Sequence, residues 1–518
     1  MRGAVAAGHP LTAEAGARVL AEGGSAVDAC IAAAFVSWVA ESTLTGPGAG
    51  GFMLVHRASD RTTRVLDHFV AVPGLGLAER GAIPMAEAKI DFTPESSQSF
   101  RVGEASNAVP GATAGLGEAH RRFGTLPWRV LLEPAIAHAR QGVELTPGQA
   151  YLHEILDPIL RRTDEGRAMY SSNGGAYLTV GERLVLPDLA LTLERLAEAG
   201  PGDLYHGELA RTLSEYVRAG GGEITERDLR EFRVIVRRPV RVPFLGHEFR
   251  SNPPPSTGGI LIGLGLRLLD RLGGAAGPPG RAEAMAQLVE IMREQEDARG
   301  GPFVRELYRG GLARRLFDEG ALTAAARRVR GRLPELQRGT THISVVDAQG
   351  NAAALTASTG AGSGVIVPGT GIQLNNMLGE FDLTATGGHP RPGVRFTSGM
   401  APSLVLHDGM PRLVVGSAGS LRLRGAILQI VVNAVAHGLG IAEAIERPRV
   451  HLEATHVHAE GGIDPAELDR LESWGYELVR WRGLNLFFGG TAGVEMLEDG
   501  RLAAAGDPRR GGAGVVVE

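Results

Sequence analysis

The chain has 518 residues, 43% of them hydrophobic and 21% charged, so it can form a large packed core. The net charge of −5 leaves no basic surplus for nucleic-acid binding, and the single cysteine, Cys30, excludes disulfides within the chain and multi-cysteine metal sites. The single lysine, Lys89, argues against Schiff-base, pyridoxal and P-loop chemistry.

The first forty residues predict two helices. Apolar residues recur at helical spacing over Thr12–Glu22, and the Gly-Gly pair that follows is a common helix stop. Ser25, with Asp28 three residues on, predicts the cap of a second helix, which is apolar on nearly every face over Ala29–Ala40 and should be buried all round. This run is too short to span a bilayer and no leader precedes it, so we expect a cytoplasmic protein without a membrane partner.

A glycine-rich segment follows the second helix. Gly46, Gly48 and Gly51 have the spacing of a dinucleotide-binding fingerprint, but they come after a helix and before a strand. The fingerprint requires the reverse order, so we predict no dinucleotide site and no cofactor. The two strands that follow are predicted at Phe52–His56 and Thr63–Phe69.

The remaining chain divides into a helical part and a part rich in hairpins. From about Pro110 to Ala325 the pattern is mostly helical, with strands expected on either side of Pro243. The predicted helices include Leu131–Gly142, Leu189–Ala199 and Ala282–Ala298. After a charged linker at Arg327–Gly339, the predicted hairpins pair Thr341–Asp347 with Ala352–Ala357, Ser403–His407 with Arg412–Val415, and Glu495–Leu497 with Leu502–Ala505, and an apolar helix covers Leu421–Gly438.

Few residues offer catalytic or metal-binding chemistry by spacing alone. His451, His456 and His458 lack acidic residues at metal-ligand spacing, so we interpret them as an exposed strand face and predict no metal. No serine has the Gly-x-Ser-x-Gly context of a nucleophile elbow, and Cys30 lies inside the apolar second helix, which favours a structural thiol.

Gly339-Thr340-Thr341 precedes a predicted strand and allows a different kind of nucleophile. A hydroxyl needs a nearby base, and a threonine at the start of a chain can use its own α-amine. An internal Thr340 reaches that state only if the chain is cut before it, and Gly339 permits the strained backbone such a cut requires. Spacing alone favours the alternative, a turn followed by a β-branched strand start.

The stretch Gly339–Asp347, with Gly350-Asn351-Ala352 after it, closely resembles the processing site of γ-glutamyltranspeptidases. Other stretches similar to that family follow in family order along nearly the whole chain. They are Gly24–Ala29, Val109–Gly111, Asn252–Gly259, Leu374–Met377, Gly399–Pro402, Gly416–Ser420 and Gly506–Arg509.

The resemblance implies an α/β fold, a four-layer αββα sandwich of the N-terminal-nucleophile hydrolase type. It implies self-cleavage between Gly339 and Thr340 into a large-subunit region, 1–339, and a small-subunit region, 340–518, that form one intertwined unit. Thr340 would be the nucleophile and, through its freed amine, the general base, with Thr341 as the second candidate.

The resemblance also assigns roles around the nucleophile. Ser358 falls where the family has a hydroxyl residue that activates the nucleophile, although a polar residue at a strand end is the alternative. Gly419 and Ser420 align with the family's oxyanion pair, a role that needs only backbone N–H groups. Asn376 and Glu380 align with substrate-binding positions, and Glu380 replaces the family's usual aspartate, which binds the substrate amine.

The substrate positions depart from the family pattern. Phe69 occupies the position of the arginine that binds the α-carboxylate of the γ-glutamyl group, and phenylalanine cannot replace a guanidinium. Only Ser398 remains of the paired serines that bind the same carboxylate, because the other is Gly399. The stretch Phe381–Arg395 is short, which indicates a reduced lid.

These residues predict a self-processing amidohydrolase or acyltransferase that passes an acyl group from a small-molecule donor to water or an amine. Cleavage of γ-glutamyl amides such as glutathione is one expectation. A non-glutamyl acyl group, as in cephalosporin-acylase-like or natural-product-processing relatives, is the alternative, and a non-catalytic paralogue is the third.

Overall fold

The structure, a computed structural model, describes residues 2–79, 84–93, 96–329, 341–380, 391–419, 422–453 and 455–518. The strands are β1 Gly3–Ala7, β2 Gly50–Arg57, β3 Thr62–His68, β4 Ala86–Thr93, β5 Ser96–Val102, β6 Val143–Glu144, β7 Arg183–Leu184, β8 Ile235–Arg237, β9 Val240–Phe244, β10 His247–Ser251, β11 Thr341–Asp347, β12 Ala352–Ser358, β13 Ile366–Val367, β14 Ile372–Gln373, β15 Ser403–His407, β16 Met410–Ala418, β17 Val450–Glu453, β18 His456–Ala459, β19 Glu477–Arg480, β20 Gly490–Met496, β21 Leu502–Gly506 and β22 Ala513–Val517.

The α-helices surround these strands. They are α1 Pro10–Ala21, α2 Ala26–Ala40, α3 Ala112–Phe123, α4 Trp128–Gln141, α5 Pro147–Ile155, α6 Asp157–Leu160, α7 Asp164–Tyr170, α8 Pro187–Ala199, α9 Asp203–His206, α10 Glu208–Ala219, α11 Glu226–Glu231, α12 Gly258–Arg271, α13 Ala282–Asp297, α14 Phe303–Arg309, α15 Leu312–Leu316, α16 Glu319–Val329, α17 Arg422–Val431, α18 Ile441–Glu446 and α19 Pro465–Ser473. In the described ranges, no helix is both long and apolar enough to cross a membrane.

Two antiparallel sheets form the centre of the fold. The first has the strand order β22-β1-β11-β12-β2-β3-β8, and the second has the order β21-β20-β16-β15-β10-β9. Each sheet contains strands from before and after residue 340, so the two parts of the chain are intertwined.

Apolar side chains fill three layers. Because side chains alternate between the two faces of a strand, Val5 and Ile343 pack with α1 and α2 on the outer face of the first sheet, while Phe52 and Val414 lie between the sheets. The outer face of the second sheet packs against α12 and α17. The fold is therefore the predicted four-layer αββα sandwich.

The second helix follows its sequence signals closely. The side chain of Ser25 accepts from the N–H of Asp28, and Asp28 accepts from the N–H of Ser25, which forms the predicted capping box. Every residue of α2 is buried, because the helix is covered by α1, α3 and α4 as well as by the first sheet.

Some local predictions need correction. Pro243 lies inside β9 instead of between two strands, which is possible because β9 is an edge strand of the second sheet. The predicted linker begins as helix, since α16 extends to Val329, and the rest of it lies outside the described residues. The helix predicted over Leu421–Gly438 is α17 followed by a π-helical turn at Val432–Ala436.

Candidate active site

The predicted site residues that the structure describes lie at one end of the two sheets. In the first sheet, Thr341 pairs with Ala357 and Ser358 pairs with Gly50, so β11 begins where β12 ends. Gly339, Thr340 and Ser420 lie outside the described residues.

Strand β16 of the second sheet lies close to the start of β11, at the same end of the fold. A Cβ added to Gly416 would lie 2.3 Å from the ring of His342, so β16 and β11 approach each other closely there. Gly419, one residue beyond the end of β16, has φ +127° and lies against Gly489, where an added Cβ would be 2.9 Å from the Cα atom. Both facts favour glycine at position 419.

Ser358 is buried and shapes the loop that follows it. Its Oγ accepts a hydrogen bond of 2.8 Å from the backbone N–H of Gly360. Gly360 has φ +74°, and a Cβ there would lie 2.1 Å from the Oδ1 of Asn376. The loop therefore requires glycine at this point.

Asn376 and Glu380 lie together beside this loop. The N–H of Ala361 donates to the Oδ1 of Asn376 at 3.0 Å and to an Oε atom of Glu380 at 3.3 Å. The amide of Asn376 also donates to the backbone carbonyl of Arg101 at 3.3 Å. Two of the predicted substrate residues are thus held within a few ångströms of the Ser358 loop.

Sequence reasoning missed Arg101 as a neighbour of this cluster. Arg101 comes from β5, far from Asn376 in the chain. Gly379, just before Glu380, has no room for a Cβ, which would lie 2.3 Å from the carbonyl of Arg101. This glycine was the one sequence signal of a close approach.

Phe69 and Ser398 are both buried near the same end of the sandwich. The ring of Phe69 is fully buried between the sheets and stacks on Phe52, with ring centroids 5.6 Å apart. The Oγ of Ser398 accepts from the N–H of Met400 at 3.1 Å. Among the described residues, the side chains that pack around Phe69 are those of an apolar cluster.

An arginine does lie close to Phe69, and two of its guanidinium nitrogens donate to backbone carbonyls. Arg395 donates to the backbone carbonyls of Phe69 and Arg233, and its Nε lies 3.4 Å from a carboxylate oxygen of Asp67. Burial lowers the pKa of Arg395, and the Asp67 carboxylate opposes that shift. Arg395 therefore ties the segment after residue 390 to β3.

His342 lies beneath the site and joins the two sheets. Its Nδ1 lies 2.7 Å from the hydroxyl of Thr356 and its Nε2 lies 2.9 Å from the hydroxyl of Ser344, which donates to the carbonyl of Ala492. Burial lowers the pKa of His342 to about 3, so the ring is neutral at pH 7. We interpret the role of these hydrogen bonds as structural: they hold β11 in position.

The interpretation of the later histidines as an exposed strand face was partly wrong. β18 forms as expected and His456 is exposed, but His451 and His458 are buried. Trp481 donates to the Nδ1 of His458 at 3.0 Å, and Phe487 packs against the same ring. Across the described ranges, no group of three or more His, Cys, Asp or Glu side chains is placed to hold a metal ion.

Comparison with known proteins decides the family. The family model described as Gamma-glutamyltranspeptidase matches residues 12–517. The chain belongs to the γ-glutamyltranspeptidase family.

Relatives within this γ-glutamyltranspeptidase family carry two kinds of name. The chain is 33% identical to the acylase ACY 1 proenzyme of Pseudomonas sp. (strain SE83), over 100% of this chain and 94% of that protein. It is 30% identical to the glutathione hydrolase proenzyme of Escherichia coli (strain K12), over 98% of this chain and 90% of that protein. Both relatives are described as proenzymes.

Solved structures agree with the fold. The cephalosporin acylase of Bacillus halodurans superposes with a TM-score of 0.85 at 24% identity, covering 100% of this chain and 96% of that chain. The γ-glutamyltranspeptidase of Helicobacter pylori gives a TM-score of 0.54 at 25% identity, over 62% of this chain and 90% of that chain. The protein is an enzyme of the hydrolase and acyltransferase class with the N-terminal-nucleophile fold.

Proposed function

We propose that the precursor cuts itself between Gly339 and Thr340 and that Thr340 then attacks the amide carbonyl of an acyl donor. The observation that carries this proposal is the register of the β11–β12 hairpin. Thr341 pairs with Ala357, and the next residue of β12 is Ser358. A nucleophile immediately before Thr341 would therefore meet the Ser358 hydroxyl.

In this proposal, named residues carry out the successive steps of the reaction. The freed α-amine of Thr340 takes the proton of its own hydroxyl as the oxygen attacks the carbonyl carbon. The backbone N–H groups of Gly419 and Ser420 stabilise the oxyanion. The intermediate collapses to an ester on Thr340 as the α-ammonium gives its proton to the departing amine of the substrate. Water or a second amine then attacks the ester, which releases the acyl group and restores the Thr340 hydroxyl.

The acyl group is proposed from the residues on the Phe69 side of the site. Phe69 is apolar and fully buried, and the guanidinium of Arg395 donates to two backbone carbonyls and lies 3.4 Å from a carboxylate oxygen of Asp67. Within the described ranges, the side chains packed around Phe69 give an α-carboxylate no charged partner, which favours an acyl group without a carboxylate. Glu380, a buried carboxylate beside Asn376, supports binding of an acyl group that carries an amine.

Cleavage of γ-glutamyl amides is the second candidate. It is favoured by Ser398 and Glu380, which keep part of the family's substrate positions. The glutathione hydrolase relatives at 30% identity support the same candidate.

Trapping the acyl-enzyme tests the proposed function. The purified protein would be mixed with acyl p-nitroanilides, quenched in acid and analysed by intact mass and peptide mapping. We expect the acyl mass on the C-terminal fragment, at its first residue, Thr340. An acyl group on another residue, or anilide turnover that survives in Thr340→Ala, would contradict the proposal.

A further inference from the structure

The backbone of Phe69 is held by a buried ion pair between Asp67 and Arg395. Asp67, in β3, is fully buried, and its Oδ1 accepts a hydrogen bond of 3.1 Å from the N–H of Phe69. Arg395 donates to the carbonyl of Phe69, and its Nε lies 3.4 Å from the Oδ1 of Asp67. Each partner of the ion pair therefore bonds one of the two backbone polar groups of Phe69.

Further contacts fix the position of both charged groups. The guanidinium of Arg395 donates to the carbonyl of Arg233 and lies over the ring of Phe232, 4.5 Å from the ring centroid. The Oδ2 of Asp67 accepts from the Nε of Arg237 at 2.7 Å. Loss of either partner would leave the opposite buried charge with less compensation, which is costly.

The segment that contains Arg395 runs beside the segment that follows β3. Ala71 forms an antiparallel bridge with Arg395, and the N–H of Phe396 donates to the carbonyl of Val70 at 3.0 Å. Ser398 follows in the same segment and is buried. The ion pair therefore joins the segment after β3, which begins at a predicted substrate position, to the segment that carries Ser398.

The ion pair also crosses from one part of the chain to the other. Asp67 belongs to region 1–339 and Arg395 belongs to region 340–518. After cleavage, the distance between Phe69 and Ser398 depends on non-covalent contacts between the two regions, because the peptide bond between them is cut.

We propose that Asp67 and Arg395 are positioning residues that select the acyl group, because their ion pair sets the distance between Phe69 and Ser398. The substrate class is amides whose acyl chain is long enough to reach between these two residues, such as butanoyl and longer chains. An acetyl group ends beside the reacting carbonyl and does not reach them. This inference rests on the proposed function for the location of the acyl group.

Two p-nitroanilides, acetyl and butanoyl, test this role because they differ by two methylene groups. Each buried methylene contributes roughly a fourfold gain, so kcat/KM for the butanoyl anilide should be about fifteenfold that for the acetyl anilide in the wild type. This ratio should fall about threefold or more in Arg395→Met and in Asp67→Asn. Arg395→Lys, which keeps the charge but not the planar guanidinium, should recover part of it. A variant that only loses folded enzyme lowers both rates equally and leaves the ratio unchanged.

Arg412→Met is the matched control. Arg412 also pairs with a buried carboxylate, that of Glu495, and donates to a backbone carbonyl, that of Met496. It lies near the start of β16, whereas Gly419 follows the end of that strand. We expect this variant to keep the wild-type ratio even if it is less stable.

An unchanged ratio in Arg395→Met and Asp67→Asn would overturn the inference, as would an equal fall in Arg412→Met or a wild type without preference for the butanoyl anilide. If the wild type cleaves neither anilide, equilibrium dialysis of the same compounds gives the ratio of their dissociation constants. A ratio that falls in Arg395→Met then supports the positioning role while the proposed function fails. A ratio that Arg395→Met leaves unchanged overturns the positioning role as well.

Discussion

The burial of Phe69 in an apolar cluster leads to a sharp prediction about substrate choice. Three p-nitroanilides isolate each group of the acyl chain: butanoyl, 4-aminobutanoyl and γ-glutamyl. The second adds an amine to the first, and the third adds the α-carboxylate to the second. Any difference between the second and third compounds therefore reports what the enzyme does with the α-carboxylate.

The expected differences follow from the partners that the structure offers. Phe69 is fully buried and stacked on Phe52, and Arg395 donates to two backbone carbonyls and forms an ion pair with Asp67. A buried charge-assisted pair is worth about 2–5 kcal/mol, or roughly thirty- to several-thousand-fold in kcat/KM. We expect none of this gain, so the γ-glutamyl anilide should be cleaved no faster than the 4-aminobutanoyl anilide. Glu380 should supply about 1.5–3 kcal/mol for the amine, roughly ten- to a hundredfold over the butanoyl anilide.

Initial rates at substrate concentrations far below KM give kcat/KM for all three compounds. A strong preference for the γ-glutamyl anilide over the 4-aminobutanoyl anilide would refute the reasoning from Phe69. Arg101→Met would then show whether the missed arginine beside Gly379 supplies a relocated partner. Glu380→Gln should reduce only the ratio of kcat/KM for the 4-aminobutanoyl anilide over the butanoyl anilide, since these two compounds differ by the amine.

Three further predictions concern the reaction and stability. Ser358→Ala should lower kcat roughly ten- to a hundredfold, because the nucleophile loses one hydrogen bond, while Ser358→Thr should keep most activity; equal kcat in the wild type and Ser358→Ala would argue for a strand-end role only. Ser420→Gly should keep activity within about tenfold if only its backbone N–H acts, whereas a loss of ~10²–10³ would show that its hydroxyl takes part. Burial lowers the pKa values of His68 and His342 to about 3, below the ~6.5 of the unfolded chain, so the unfolded state binds more protons between those values. The urea concentration at the unfolding midpoint should therefore be constant above pH 7 and fall below pH 6.5. At pH 5 each histidine should lower the free energy of unfolding by up to about 2 kcal/mol. An unchanged midpoint at pH 5 would contradict this.

The sequence predicted the elements whose signals are local. The Ser25–Asp28 capping box, the buried α2 and the β11–β12 hairpin depend on residues close in the chain, and the structure has all three. Pro243 was misplaced because its acceptance depends on β9 being an edge strand, which only the sheet order reveals. Whether His451 and His458 are exposed depends on Trp481 and Phe487, which are distant in sequence.

The candidate site also contains residues that the sequence could identify and residues that it could not. The family resemblance supplied Ser358, Asn376, Glu380, Ser398 and Gly419, which the fold places in buried positions. It could not supply groups that reach the site from distant segments, because no spacing links them to it. Arg101 is of this kind, and Gly379 was the sequence trace of its close approach.

The mass and N-terminal sequence of the fragments in purified protein test the central claim most directly. The account predicts two fragments, residues 1–339 and 340–518, with Thr340 as the new N-terminus, and a single uncut chain for Thr340→Ala. A fragment that begins at Thr341, or a wild-type chain that stays whole after prolonged incubation, would contradict it.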